Sequence, residues 1–165
     1  MEQKTNTTLD NLAPAVIWAL AIAYLIAAAA LLYILSAVWP SSPENAKAVS
    51  VFFWTVPLSN DVRLIWLVVI SSALGSYIHT VTSFTLYAGQ QSLSPHWLAW
   101  YILRPAISAA LAVIFYFTLR AGLFSGASAD QTLNPFGIAA ISGMVGMFAK
   151  QATEKLGKIF DTIFA

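Results

Sequence analysis

Three long apolar runs constrain the fold of this chain more than any other feature. They cover residues 14–39, 62–88 and 97–124. Crossing about 30 Å of hydrocarbon takes roughly 20 apolar residues in a helix, which satisfies its backbone hydrogen bonds without water. Each run is therefore predicted to be a transmembrane helix. Only 9% of the residues are charged and 59% are hydrophobic, whereas about a quarter are charged in a soluble domain, so the composition also predicts an integral membrane protein.

A fourth apolar run, 135–150, is shorter and ends at Lys150. It crosses the bilayer only if the lysine side chain extends to the headgroups. The residues that follow, 151–165, gather Leu156 and Ile159 on one side, which predicts an amphipathic tail that continues the helix. The predicted fold class is all-α: a polytopic membrane protein with four transmembrane helices and a C-terminal amphipathic extension.

The predicted domain organisation is simple. A polar N-terminal segment, 1–13, without the features of a signal peptide, precedes one transmembrane domain, 14–165. Four spans leave both termini on the same side of the membrane. The lysines near the end of the last helix place that side in the cytoplasm under the positive-inside rule.

The second apolar run carries a stripe of polar residues. Ser72, Ser76, His79, Ser83 and Tyr87 follow one another at helical spacing, and at 100° per residue they fall within an arc of about 80°. The hydroxyls either bond back to their own helix or form a polar surface. The imidazole needs a partner, because an unpaired polar group in hydrocarbon costs several kcal/mol.

The third run offers that partner, since Tyr101, Arg104 and Ser108 lie on one side of it. In an antiparallel pair of helices, His79 and Arg104 are expected at matching depth. Three interpretations of Arg104 stay open: it reaches the inner headgroups and binds anionic lipid, it lines a water-filled ion path with the stripe, or it belongs to a buried polar clasp that locks the two helices together.

The fourth helix is predicted to carry a face of small residues that packs closely against another helix, from this chain or from a second subunit. A pore-lining role is the alternative, because glycine leaves the backbone uncovered. The residues of this face are Ala139, Gly143, Gly146, Lys150 and Gly157.

Three short motifs lie along the chain: GSYIH from residue 75, YILRP from residue 101 and NPFG from residue 134. With them, residues 60 to 164 resemble an uncharacterised group of small bacterial integral membrane proteins that share Gly-Ser-x-x-His, Tyr-x-x-Arg-Pro and Asn-Pro-x-Gly helices. The resemblance implies the four-helix architecture and a location in the bacterial inner membrane. It implies no particular activity.

Several function classes are disfavoured. The chain has no cysteine, no glycine-rich phosphate loop and no His-Glu-x-x-His motif, so we expect no enzymatic activity, no cofactor and no metal site. A formal net charge of +1 does not predict nucleic-acid binding. The expected partners are membrane lipids, further copies of this chain and possible membrane protein partners.

Two functions remain. The first is a homo-oligomeric membrane ion channel or pore with a polar path near His79 and Arg104, since one four-helix chain is too small to enclose a path. The stripe favours this function. The second is a non-conducting membrane scaffold or signalling subunit assembled through the small-residue faces, which the lack of a charged ring or filter sequence favours.

Overall fold

The computed structural model describes residues 13–40, 48–51, 53–90, 98–121 and 134–164. In these ranges the chain forms a bundle of helices with one small β-hairpin. The elements in chain order are α1 (Pro14–Val38), β1 (Val49–Val51), β2 (Trp54–Val56), α2 (Asn60–Gly89), α3 (Leu98–Arg120), α4 (Pro135–Met147) and α5 (Ala149–Phe164). The predicted N-terminal segment, 1–13, lies outside the described residues except for its last position.

Within the described ranges, three helices are long and apolar enough to cross a membrane: α1, α2 and the part Ala99–Arg120 of α3. The predicted helical fold class is confirmed, and the three longer apolar runs coincide with these helices. Helix α4 has 13 residues and is about 20 Å long, which is less than the roughly 30 Å of a hydrocarbon core. The predicted fourth span, 135–150, is therefore not confirmed.

The helix starts follow from local sequence. Helix α4 begins at Pro135, after Asn134, whose side-chain oxygen accepts a hydrogen bond from the Phe136 backbone N–H at 3.0 Å. Proline fits the first helical position because its missing N–H would have no partner there. Ser59 caps α2 in the same way by accepting from the Val62 N–H at 3.4 Å. Each cap satisfies a backbone donor that the helix itself leaves unpaired.

The prediction that one helix continues through Lys150 is wrong. Helix α4 ends at Met147, and Phe148 has φ −115° and ψ 44°, outside the helical region. A second helix, α5, starts at Ala149. Neither a proline nor a capping side chain marks this position in the sequence, so the hydrophobic pattern alone did not reveal the break.

Helix α2 contacts α1, α3 and α4. Its closest approach is to α4, where a Cβ on Gly75 would collide with the carbonyl of Gly143, and a Cβ on Gly146 would collide with the carbonyl of Ser72. The two backbones therefore touch directly. Contacts of this kind between small residues replace the hydrophobic driving force that is missing between helices in lipid.

The bundle has two distinguishable ends. At the first, which we call the hairpin end, Arg120 of α3 pairs with Asp61 of α2 at 3.1 Å, and the Trp39 and Phe136 rings lie 4.9 Å apart. At the second, the α5 end, residues from the start of α1 pack against the end of α2 and the start of α3. Helices α2 and α4 thus both run from the hairpin end toward the α5 end.

The β-hairpin occupies part of the loop between α1 and α2. Its strands are antiparallel, with Val49 opposite Val56. Val49 is buried together with Val38 and Ile70, so the hairpin is attached to the bundle, while Phe53 at its turn is 99% exposed.

Candidate functional site

The polar stripe of α2 is divided into a buried half and an exposed half. Ser72 and Ser76 are fully buried, each with 0% exposure. His79 and Tyr87 are exposed on the surface of the bundle, and Ser83 is half-buried. The half nearer the hairpin end is therefore enclosed by other helices, and the half nearer the α5 end faces outward.

Hydrogen bonds between helices hold the buried half. The Ser72 hydroxyl donates to the carbonyl of Ser108 at 2.8 Å, and the Ser108 hydroxyl donates to the carbonyl of Gly146 at 3.4 Å. These two buried bonds link α2 to α3 and α3 to α4. Each contributes about 0.5–1.5 kcal/mol to stability. This part of the stripe has the geometry of a clasp.

Three further hydroxyls of α2 are enclosed without pairing. The side-chain oxygens of Ser71, Ser76 and Thr80 are buried and have no hydrogen-bond partner among the described residues. An unpaired buried hydroxyl is unfavourable by about 1–3 kcal/mol. Thr80 has 1% exposure, although it is not a member of the stripe.

In the exposed half, hydroxyls bond within their own helix. The Ser83 hydroxyl donates to the carbonyl of His79 at 3.0 Å, and the Thr82 hydroxyl donates to the carbonyl of Ile78 at 2.7 Å. This is the local pattern that serine and threonine adopt in apolar surroundings. For the His79 imidazole, no such bond to its own helix is present among the described residues.

The exposure of His79 has a structural cause, the early end of α4. A Cβ on Gly75 would lie 3.0 Å from the backbone nitrogen of Met147, the last residue of α4. His79 lies one turn beyond Gly75 toward the α5 end, at a level that α4 does not reach. Residues of α2 that point in the same direction as Ser72 are thus covered only as far as α4 extends.

Arg104 lies beside this exposed surface and is partly buried. Its guanidinium carbon is 5.8 Å from the centre of the Trp100 ring, within the range of a cation–π interaction. It is also near enough to His79 and Tyr101 for electrostatic interaction. Its Nε atom is buried and has no hydrogen-bond partner in the described part of the chain.

Tyr101 takes part in an aromatic cluster. It is buried with Phe84 against the start of α1. Tyr24 of α1 lies with its ring 5.5 Å from Phe84 and 6.2 Å from Tyr77. Rings at these distances favour tilted and edge-to-face contacts. The cluster fixes the α5 end of helices α1, α2 and α3, and the sequence reading had not singled out Tyr24.

The small-residue set predicted on the fourth helix is split by the break at Phe148. Gly143 and Gly146 lie against α2 of the same chain, and Ala139 is half-buried. Lys150 and Gly157 belong to α5 and are exposed. A Cβ on Gly157 would meet nothing within 4 Å, so only the α4 part of this set makes a close helix contact.

Two arginines at the hairpin end received little weight from the sequence. Arg63, in the first turn of α2, has only 3% exposure. Arg120 donates to Asp61 at 3.1 Å and to the Tyr116 hydroxyl at 2.9 Å. The four-residue spacing of Tyr116 and Arg120 was a signal that could have indicated their contact.

No three His, Asp or Glu side chains come together within the described ranges in a way that could hold a metal ion. No protein-family model matches this chain, and no curated protein or solved structure matches it. The resemblance to small bacterial four-helix membrane proteins therefore stays a prediction.

Proposed function

We propose that the protein is a homo-oligomeric membrane ion channel whose polar path runs near His79 and Arg104, between subunits. The observation that carries this proposal is the exposed half of the stripe, which we call the polar face (His79, Ser83 and Tyr87). It is flanked by the partly buried Arg104. A single chain leaves this face open, so a path along it needs a second copy to close it.

The depth of His79 supports a protein partner at the polar face. Helix α2 has 30 residues and is about 45 Å long, which exceeds the roughly 30 Å of hydrocarbon. If α2 is centred in the bilayer, His79 lies about 7 Å from the midplane. An imidazole facing lipid chains at that depth is unfavourable by several kcal/mol. Covering it with another subunit, and with water inside the contact, removes that penalty.

The proposed location is the bacterial inner membrane, with the α5 end in the cytoplasm. Helix α1 begins at the α5 end, where its first turns pack near Tyr101, and α5 lies at the same end. Lys150, Lys155 and Lys158 are exposed on α5. This concentration of lysine favours the cytoplasmic side.

The test of the channel combines oligomer mass with ion flux. Protein purified in mild detergent is examined by native mass spectrometry and then reconstituted into liposomes. We expect a closed oligomer that passes ions, and we expect His79→Ala to change the flux. Thr82→Ala is the matched control, because its hydroxyl is exposed on the same helix and is already bonded to Ile78. A monomer, or an oligomer that conducts no ions, would contradict the channel.

A second candidate function is supported by the buried half of the stripe. The bonds that join Ser72, Ser108 and Gly146 occupy the Ser72 and Ser108 hydroxyls, and Gly143 and Gly146 lie against α2. Both features favour a rigid bundle that serves as a non-conducting scaffold or signalling subunit. A stable oligomer without flux, whose mass is reduced by His79→Ala but not by Thr82→Ala, would favour this function over the channel.

A further inference from the structure

A cleft opens between α3 and α5, and Arg104 lines it. Its volume is about 270 Å³. Helix α3 contributes Trp100, Arg104, Ile107 and Leu111, and helix α5 contributes Lys150 and Thr153. We call it the cation cleft. It lies at the α5 end of the bundle, next to the point where α4 stops.

The charges of the cation cleft are of one sign. Arg104 and Lys150 both line it, and no carboxylate is among the residues that do. In the part of the chain that the structure describes, neither cation takes part in an ion pair, and the pair that is present, Arg120 with Asp61, lies at the hairpin end. Two neighbouring cations without a counter-charge make this cleft a site of positive potential.

The geometry of Arg104 points to an oxyanion as the ligand. Its guanidinium lies near the Trp100 ring, which limits its orientation, and its buried Nε has no partner among the described residues. A guanidinium presents several N–H donors in a planar fork that fits the oxygens of a phosphate, and an ammonium adds a second charge.

The rest of the cleft is apolar and indicates that the ligand is an amphiphile. Ile107 and Leu111 continue the wall along α3 toward the hairpin end, in the direction of the membrane interior. Arg104 lies six residues after the start of α3, about 9 Å along the helix, and a long cationic side chain at this position extends toward the headgroups at that end. Cations whose side chains extend toward the headgroups, beside an apolar wall, match a lipid with its phosphate near the surface and its chains below.

We propose that the cation cleft binds an anionic phospholipid of the phosphatidylglycerol type through its phosphate. The Arg104 guanidinium and the Lys150 ammonium contact the phosphate oxygens, and an acyl chain follows Ile107 and Leu111. This site does not depend on ion conduction. The flux assay and the lipid assay can therefore fail separately.

The test is lipid binding by native mass spectrometry of delipidated full-length protein. Phosphatidylglycerol and phosphatidylcholine are offered in equal amounts. We expect the wild type to retain the anionic lipid preferentially. Lys150→Ala should weaken that retention about fivefold, the effect expected for one lysine next to an anionic headgroup. Lys158→Ala is the matched control, because it removes an exposed lysine from the same helix away from the cleft.

Two further arms complete the design. Arg104→Lys keeps a cation but loses the planar fork, so it should also lower retention of phosphatidylglycerol. Circular dichroism shows whether that variant is folded. If it is not folded, the comparison of Lys150→Ala with Lys158→Ala tests the site. Inorganic phosphate is added as a competitor. Equal retention of the two lipids, equal effects of Lys150→Ala and Lys158→Ala, or displacement of the lipid by millimolar phosphate would overturn the proposal.

Discussion

At the residue scale, two glycines decide how close α2 and α4 can come. Gly75 and Gly146 each face the backbone of the other helix, at Gly143 and Ser72 respectively. A side chain can often turn away from an added methyl group, but a carbonyl within a hydrogen-bonded helix cannot. The helices would have to separate, and this would strain the hydrogen bond that Ser108 donates to Gly146.

We therefore expect Gly146→Ala to lower the free energy of unfolding by about 1–3 kcal/mol, the usual effect of overpacking. Gly157→Ala is the control: its Cβ would meet no atom within 4 Å, and alanine is favoured over glycine in a helix by up to about 1 kcal/mol. Thermal unfolding in detergent, followed by circular dichroism, compares the two. Equal melting temperatures for both variants and the wild type would mean that the α2–α4 contact is not close.

At the element scale, the hairpin end shows which kind of interaction joins α2 to α3. The Arg120–Asp61 pair connects the two helices, but its side chains are 50% and 72% exposed. Tyr116, one turn earlier in α3, is buried in the core with Val68. Exposed ion pairs contribute about 0–1 kcal/mol, whereas a buried aromatic ring contributes several times more.

Asp61→Asn is therefore expected to lower the free energy of unfolding by less than about 1 kcal/mol, and this effect should fade at about 1 M salt, where charges are screened within about 3 Å. Tyr116→Ala should lower the free energy of unfolding by about 3–5 kcal/mol at any salt concentration. Chemical unfolding at low and high salt measures both variants. If Asp61→Asn proved as destabilising as Tyr116→Ala, the ion pair and not the core would join these helices.

At the scale of the whole molecule, the arrangement of ends predicts sidedness. The start of α1 and the whole of α5 lie at the α5 end. Ala121, which follows α3, lies at the hairpin end. The chain has no native cysteine, so single cysteines can be introduced without background labelling. Positions 13, 121 and 151 are exposed, which makes them suitable for such variants.

We expect Ala13→Cys and Gln151→Cys to react with a membrane-impermeant maleimide from one side of the membrane, and Ala121→Cys to react from the other. Labelling in intact cells and in inverted vesicles measures this. If Gln151→Cys reacted from the same side as Ala121→Cys, α5 and the start of α1 would lie on opposite sides of the membrane. That result would contradict their placement at the same end of the bundle.

The sequence by itself was sufficient to predict the features that depend on residues close together in the chain. The three long helices follow from uninterrupted apolar runs, because crossing hydrocarbon requires both length and internal hydrogen bonding. The start of α4 follows from Asn134 and Pro135, which act within one turn. Helical spacing also predicts that Ser72, Ser76 and His79 share one face of α2.

Only the tertiary structure decided how that face is used. A helical angle gives the direction of a side chain but not the point at which the neighbouring helix ends. Because α4 stops at Met147, Ser72 is enclosed and bonded to Ser108 while His79 is exposed. Because of the break at Phe148, Lys150 lies away from the α4 glycines and lines the cation cleft together with Arg104. Both outcomes depend on contacts between helices that are distant in sequence, which no local pattern encodes.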